Sequence, residues 1–142
     1  MSALGLKIID EAVQAANVWI NELDYRTGWD NKQRSYRLLR SALHAIRDNL
    51  SVDEAADLGA QLPILIRGVY YEGWNPSKTP KRLRTAEAFV EEIQKDFRTD
   101  PIGDTTHAVQ AVIDLLDNHI SEGEMKDVRG AFTKELRELF DA

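Results

Sequence analysis

The sequence predicts an all-α fold: a single compact helical domain over residues 1–142, made of two tandem repeats of three to four helices. Three observations carry this prediction. Apolar residues recur at three- and four-residue steps, helix-capping residues precede those segments, and the sequence aligns with itself when it is shifted by about 70 residues. We therefore expect the two repeats, about 5–74 and about 75–142, to pack with pseudo-two-fold symmetry.

The composition is that of an ordinary globular domain. Hydrophobic residues make up 43% and charged residues 30% of the sequence, and the net charge of −6 disfavours general nucleic-acid binding. The sequence contains no cysteine, which excludes disulfides, thiolate metal sites and cysteine nucleophiles, and a cytoplasmic location is the simplest expectation. We expect neither a signal peptide nor a membrane helix, since acids stand near the N-terminus and no apolar run approaches about 20 residues.

The shift that relates the repeats aligns helix caps as well as apolar positions. Ser51 and Glu54 meet the identical Ser121 and Glu124, and both pairs have the spacing of a capping box. The apolar positions of the second helix in each repeat also coincide: Leu39, Ala42, Leu43, Ile46 and Leu50 fall on Val109, Val112, Ile113, Leu116 and Ile120. Coincidence between two helical periods is the alternative, and the shared caps argue against it.

Caps and prolines predict where the helices start. Asp30, with Gln33 three residues later, begins the second helix, and Asp100-Pro101 begins its counterpart. Thr79-Pro80 is a similar start. The predicted helices are about 5–24, 31–49, 52–61 and 63–72 in the first repeat, and about 80–97, 101–119, 122–131 and 133–141 in the second.

Pro63 ends the third helix near Gln61, because proline lacks the amide hydrogen and clashes with the preceding turn. The run ILIRGVYY that follows looks like a strand, but its counterpart KELRELF has helical spacing, so we predict a buried helix. Residues 75–79 form a linker, and five residues are too few to separate independent domains.

The pairs Arg47-Asp48, Tyr70-Tyr71 and Gly73-Trp74 lie in a run, 36–74, that resembles the bacterial family called domain of unknown function 2267. Further matching features are Leu39-Arg40, Leu43-His44, Glu54-Ala55, Gln61-Leu62-Pro63, Arg67-Gly68, Gly123-Glu124 and Asp127-Val128-Arg129. Phe132-Thr133 departs from the Leu-Pro pair expected there, which puts a kink in the second repeat in doubt. The resemblance implies a small soluble helical protein of bacteria with no assigned activity.

Sequence motifs for catalysis or cofactor binding are missing. No glycine-rich phosphate loop, Glu-x-x-His pair or G-x-S-x-G elbow occurs in the sequence. His107 with Asp104, and His119 with Asp114 and Asp117, form a weak metal constellation, which solvated polar faces and helix-end charges explain better than a metal site does. We therefore predict no catalytic, cofactor-binding or metal-binding residue, and a protein that is not an enzyme.

The second helix carries a basic ridge. At 100° per residue its members occupy an arc of about 80°, and they are Arg37, Arg40, His44 and Arg47. With the nearby Lys78, Lys81, Arg82 and Arg84, this basic ridge could contact phosphates or an acidic partner. The alternative is that its arginines pair with acids of the same chain, such as Asp48, Asp53 and Asp57.

An aromatic cluster closes the first repeat. We expect Tyr70 in the core, whereas Tyr71 and Trp74 close the seam between the repeats, seal a homodimer or line a small pocket, since such side chains combine apolar area with a polar tip. The candidate interaction surface thus comprises the basic ridge, Tyr71 and Trp74.

We expect a non-enzymatic protein-interaction or regulatory module whose partner is another protein or a second copy. Two alternatives remain open. One is a nucleic-acid-associated protein that uses the basic ridge, and the other is a binder of a small ligand between the repeats.

Overall fold

The computed structural model describes residues 3–142, and all regular structure within that range is helical. The helices are α1 (Lys7–Thr27), α2 (Lys32–Asn49), α3 (Val52–Ala60), α4 (Ile64–Tyr71), α5 (Ala86–Gln94), α6 (Thr105–His119), α7 (Glu122–Gly130) and α8 (Lys134–Asp141). Short 3-10 turns cover Pro76–Lys78 and Lys95–Phe97. The all-α prediction is confirmed, and the strand-like run ILIRGVYY is helix α4.

A single apolar core receives side chains from all eight helices. Helix α1 packs on α2, α4 and α6, while α2 also packs on α4, α5 and α6. Helix α3 packs on α4 and α7, and α8 packs on α5 and α6. The periodic apolar residues of α2 and α6 are buried, as their three- and four-residue spacing predicts.

The connection between α1 and α2 is held by a buried carboxylate. Asp24 accepts hydrogen bonds from the backbone N–H of Asn31 at 2.9 Å and from the hydroxyl of Ser35 at 2.7 Å. Burial raises the pKa of Asp24, but these bonds and the nearby Lys32 ammonium outweigh that effect and lower it. Gly28 ends α1 with a φ of 71°, a left-handed conformation that glycine adopts without strain.

Two predicted helix starts lie too early, by one residue at α2 and by four residues at α6. Asp30 lies outside α2 with a φ of 50°, and the cap is Asn31, whose side chain accepts the N–H of Arg34 at 3.1 Å. Helix α6 begins after Asp104, which accepts the N–H of His107 at 3.0 Å, and not at residue 101. Two polar residues that could act as the cap precede each of these helices. In both cases the residue nearer the helix forms the cap.

Helix α5 starts after Thr85 rather than at residue 80. The segment before it bonds to the end of α2: the N–H of Lys81 donates to the carbonyl oxygen of Asp48 at 2.7 Å, and the N–H of Leu83 donates to Asn49 Oδ1 at 2.8 Å. Because these two N–H groups donate to α2, residues 79–85 do not form the hydrogen bonds of a helix. We call residues 79–85 the α5 leader.

The capping prediction holds for α3 and fails in part for α7. Ser51 and Glu54 form a reciprocal capping box. The Ser121 hydroxyl accepts the N–H of Glu124 at 3.2 Å, but the N–H of Ser121 donates to Gln61 Oε1 at 2.9 Å instead of to Glu124. A side chain at the end of α3 thus completes the cap of α7. Helix α3 ends at Ala60, before Pro63, as predicted.

Candidate functional site

The basic ridge faces α4 and α5, and its arginines pair with acids: Asp48 of α2, Glu72 after α4, and Asp96 and Asp100 after α5. Arg40 Nε and Nη2 both donate to Glu72 Oε1, at 2.9 and 2.7 Å. Its Nη1 lies 4.0 Å from Asp96 Oδ2. The hydrogen bonds to Glu72 raise the pKa of Arg40, so this guanidinium stays charged and bound.

Arg47 is buried, with 4% of its surface exposed. Its Nε donates to Asp48 Oδ1 at 2.9 Å, and its Nη1 donates to the carbonyl oxygens of Tyr70 and Glu72 at 2.8 and 2.9 Å. Those carbonyls lie at the C-terminal end of α4, where the helix dipole favours a positive charge. Arg47 therefore fastens α4 to α2.

His44 completes this set of bonds to α4. Its Nε2 lies 2.7 Å from the carbonyl oxygen of Val69, so Nε2 carries the hydrogen and donates it. Burial lowers the pKa of His44, and the neighbouring Arg47 and Arg40 lower it further, which keeps the ring neutral at physiological pH. Arg37 is the most exposed member of the ridge and lies 3.7 Å from Asp100.

A polar cavity of about 220 Å³ lies between α2 on one side and α5 with its following 3-10 turn on the other. We call it the polar cleft, and its lining includes Arg40, Ser41, His44, Arg47, Glu92 and Lys95. The hydroxyl of Ser41 donates to Asp96 at 2.5 Å, and Lys95 Nζ lies 3.1 Å from Glu92. Every arginine and lysine of the lining has an acid partner, so the cleft offers balanced charge rather than a cationic surface.

Most of the pairing acids could not be found from local spacing. Asp48 was correctly expected to lie against Arg47, but Asp53 and Asp57 form no pair with the ridge within residues 3–142. Glu72, Asp96 and Asp100 supply the other partners, from segments that follow α4 and α5. Only the fold brings these distant residues together.

Tyr71 and Trp74 pack on the first half of the chain. Their rings lie 5.4 Å apart, and the Tyr71 ring is 5.0 Å from that of Tyr70, which is buried as predicted. A β-carbon placed on Gly59 of α3 would lie 2.6 Å from Tyr71 Cζ, so the ring rests directly on that glycine. These contacts lie within the predicted first repeat, and none of them joins the two repeats.

One histidine of the weak metal constellation, His119, makes other contacts. His119 stacks on Trp19 with the ring centres 4.8 Å apart, and its Nε2 lies 2.8 Å from Glu22 Oε1. Asp117 pairs with Arg129 at 2.7 Å. Across residues 3–142, no group of three or more histidine, aspartate or glutamate side chains is arranged to hold a metal ion.

A membrane-spanning segment was also sought in the part of the chain that the structure describes. None of its helices has both the length and the apolar character needed to cross a bilayer.

Comparison with known proteins gives one relationship. No match is found among curated proteins. The family described as "Uncharacterized conserved protein (DUF2267)" matches residues 16–139, nearly the whole chain. That range contains the basic ridge, the polar cleft and the aromatic cluster. The chain therefore belongs to the DUF2267 family of uncharacterized conserved proteins.

Proposed function

We propose that this protein is a non-enzymatic interaction module that binds another protein through the apolar face of α1. One observation carries the proposal: the apolar stripe of α1 continues toward the N-terminus beyond the point where the core ends. Ala16 is 9% exposed and Leu23 is fully buried, whereas Ile9 and Val13 are 43% and 44% exposed. We call Ile9 and Val13 the α1 stripe.

The α1 stripe has the geometry of a helix-packing surface. At 100° per residue, Ile9 and Val13 fall within about 60° of the positions of Ala16 and Ile20, so the same side of the helix continues outward. Apolar area covered by a partner contributes about 25 cal/mol per Å². Exposed apolar surface of this kind is typical of sites where another protein binds.

The partner that fits this surface presents an apolar helix face. Successive turns of α1 offer side chains at three- and four-residue steps, the pattern by which one helix packs into the grooves of another. Lys7 and Glu11 lie on the opposite side of this part of α1, where Lys7 Nζ is 3.6 Å from Glu11 Oε1.

The arrangement of the polar cleft supports a role without catalysis. Ser41 donates its hydroxyl to Asp96, and the Nε2–H of His44 donates to a backbone carbonyl. His44 is therefore not bonded to Ser41, and the two do not form a serine–histidine pair of the kind used in covalent catalysis. The ion pairs of Arg40 and Arg47 likewise argue against a nucleic-acid role for the basic ridge, since phosphates need cations that are free to bind them.

Affinity capture from the native lysate after nuclease treatment tests the proposal, with the double variant Ile9→Ser/Val13→Ser as bait beside the unaltered protein. We expect a stoichiometric protein partner that the double variant loses. The matched control is Val18→Ser/Tyr25→Ser, which removes two exposed apolar side chains from the other side of α1. Capture that both double variants retain equally would refute the α1 stripe as the binding surface.

A second candidate function is the binding of a small polar ligand in the polar cleft. The supporting observation is the position of this cavity, between α2 of the predicted first repeat and α5 of the second. Its mixed charges suit a molecule that carries both signs. A panel of zwitterionic amino acids should then raise the melting temperature of the protein, and a Ser41→Val variant should lose the shift.

We also propose that the two halves are repeats, 5–74 and 75–142, related by a pseudo-two-fold axis within one domain. The shift that places Ser51 on Ser121 also places both ends of α3 on those of α7, and both ends of α4 on those of α8. Packing supports the same relationship, since α1 packs on α6 as α5 packs on α2. Separate expression of 1–74 and 75–142 should yield two unfolded chains, because α1 then loses its packing on α6 and α5 loses its packing on α2.

A further inference from the structure

Opposite charges lie next to each other on the exposed surface around the start of α5. Arg82 and Arg84 belong to the α5 leader, and Glu87 and Glu91 lie on the first turns of α5; all four residues are exposed. Within residues 3–142, none of these four side chains has an ion-pair partner. This differs from the polar cleft on the other side of α5, where Glu92 pairs with two lysines.

The two glutamates border an open groove of about 630 Å³. Ala86 and Val90 of α5 and Leu139 of α8 form its apolar floor, and Thr105 and Thr106 of α6 form the opposite wall. No basic side chain lines it. We call it the α5 groove.

Hydrogen bonds on its inner side hold the backbone of the α5 leader in place, so its two arginine side chains face solvent. The N–H of Leu83 donates to Asn49 Oδ1 at 2.8 Å, and the carbonyl oxygen of Arg84 accepts the hydroxyl of Thr133 at 2.8 Å. The N–H of Ala86 donates to the carboxylate of Glu135. With the backbone bonded to α2 and α8, the two guanidinium groups extend into solvent from an ordered segment.

We propose that the α5 groove is a self-association site, whose occupant is the α5 leader of a second copy. The charges are self-complementary when two copies meet antiparallel about Ala86. Arg82 and Arg84 precede Ala86, whereas Glu87 and Glu91 follow it. A two-fold axis near Ala86 therefore brings the arginines of each copy toward the glutamates of the other and covers both apolar floors.

The expected association is weak and sensitive to salt. Exposed ion pairs contribute little individually and are screened as ionic strength rises, so the covered apolar floors must supply part of the affinity. This surface is separate from the α1 stripe. Failure of self-association therefore leaves the proposed binding of another protein untouched, and the reverse also holds.

Sedimentation equilibrium with charge-reversal variants tests the proposal. From about 10 µM to about 1 mM protein, at low salt, we expect a reversible monomer–dimer equilibrium that weakens as salt is added. The variants Arg82→Glu/Arg84→Glu and Glu87→Arg/Glu91→Arg should each be monomeric, because all facing charges become alike. An equal mixture of the two should form a one-to-one dimer, since every contact is again between opposite charges.

A matched control exchanges charges elsewhere without changing the net charge. Lys7→Glu/Glu11→Lys reverses an exposed pair on α1 and should dimerise as the unaltered protein does. Circular dichroism confirms that each variant is folded. A protein that stays monomeric at every concentration, a dimer that both reversals leave intact, or folded variants that fail to associate when mixed would each overturn the proposal. Binding of a basic segment from another protein in place of the second copy would also overturn it.

Discussion

The buried guanidinium of Arg47 donates a hydrogen bond to the carbonyl oxygen of Tyr70 at 2.8 Å and so closes the C-terminal end of α4 onto α2. The same nitrogen also bonds the carbonyl of Glu72. Arg47 is thus a buried residue that holds α4 on α2, and a nucleic acid cannot reach its guanidinium group. Its neighbour Arg40 binds the side chain of Glu72, which adds a second tie at the same helix end.

Replacing Arg47 should therefore reduce stability strongly. Arg47→Met keeps most of the side-chain volume but leaves two carbonyls and Asp48 without their donor, and we expect the free energy of unfolding to fall by about 3 kcal/mol. Urea denaturation measures the change. The control Arg37→Met, at an exposed ion pair, should cost less than about 1 kcal/mol. Equal losses in the two variants would contradict a clamping role for Arg47.

Gly59 and Tyr71 should show strong coupling in a double-mutant cycle. Gly59→Ala improves helix propensity but drives a methyl group into the Tyr71 ring, so we expect a net loss of about 1–3 kcal/mol. In a Tyr71→Ala background the same change should become neutral or stabilising, because the clash has gone. Urea unfolding of all four proteins gives the coupling energy. If Gly59→Ala lowers the free energy of unfolding equally in the unaltered and the Tyr71→Ala backgrounds, Tyr71 does not pack on α3.

Trp74→Ala should lower stability by about 2 kcal/mol without changing the association state. The reason is that the indole packs on Tyr71 and on the edge of the core, inside its own chain. Urea denaturation and multi-angle light scattering at the same protein concentration measure the two properties. A changed molar mass with unchanged stability would instead place Trp74 in an interface.

Glu124 lies in a cluster of acids where α3 meets α7. Burial raises the pKa of its carboxyl group, and the charges of Asp57, Asp127 and Glu54 raise it further. The folded state therefore holds this proton more tightly than the unfolded state, and ionisation costs stability as the pH rises above the ordinary value of 4.5. Glu124→Gln should accordingly increase the free energy of unfolding at neutral pH, by less than about 1 kcal/mol.

The gain from Glu124→Gln should disappear below about pH 4, where the native carboxyl group is protonated in both states. Glu122→Gln is the matched control, since it removes an acid from the same first turn of α7. Urea unfolding across this pH range distinguishes the two. A Glu122→Gln gain as large as that of Glu124→Gln would assign the effect to the helix end rather than to the cluster.

The sequence predicted best those features that local chemistry determines. Pro63 separates α3 from α4, and Ser51 with Glu54 caps α3, because neither requires a distant partner. The start of α5 was missed because the α5 leader bonds to Asp48 and Asn49, at the end of α2 and far away in the sequence.

The acids that pair with the basic ridge could be identified only from the fold. Helical spacing places Arg40 and Arg47 on one side of α2, but it does not reveal that the ends of α4 and α5 bring Glu72 and Asp96 against that side. The exposed α1 stripe is a similar case. Periodicity predicts an apolar face, whereas only packing shows that the core covers Leu23 and leaves Ile9 and Val13 uncovered.

Site-specific photo-crosslinking tests the central claim most directly. A photoreactive p-benzoylphenylalanine replaces Ile9 in one protein and Val18, on the other side of α1, in a second, and both are irradiated in nuclease-treated lysate. We predict a discrete protein adduct from position 9 and none from position 18. Absence of an adduct at position 9, or the same adduct from both positions, would contradict binding through the α1 stripe.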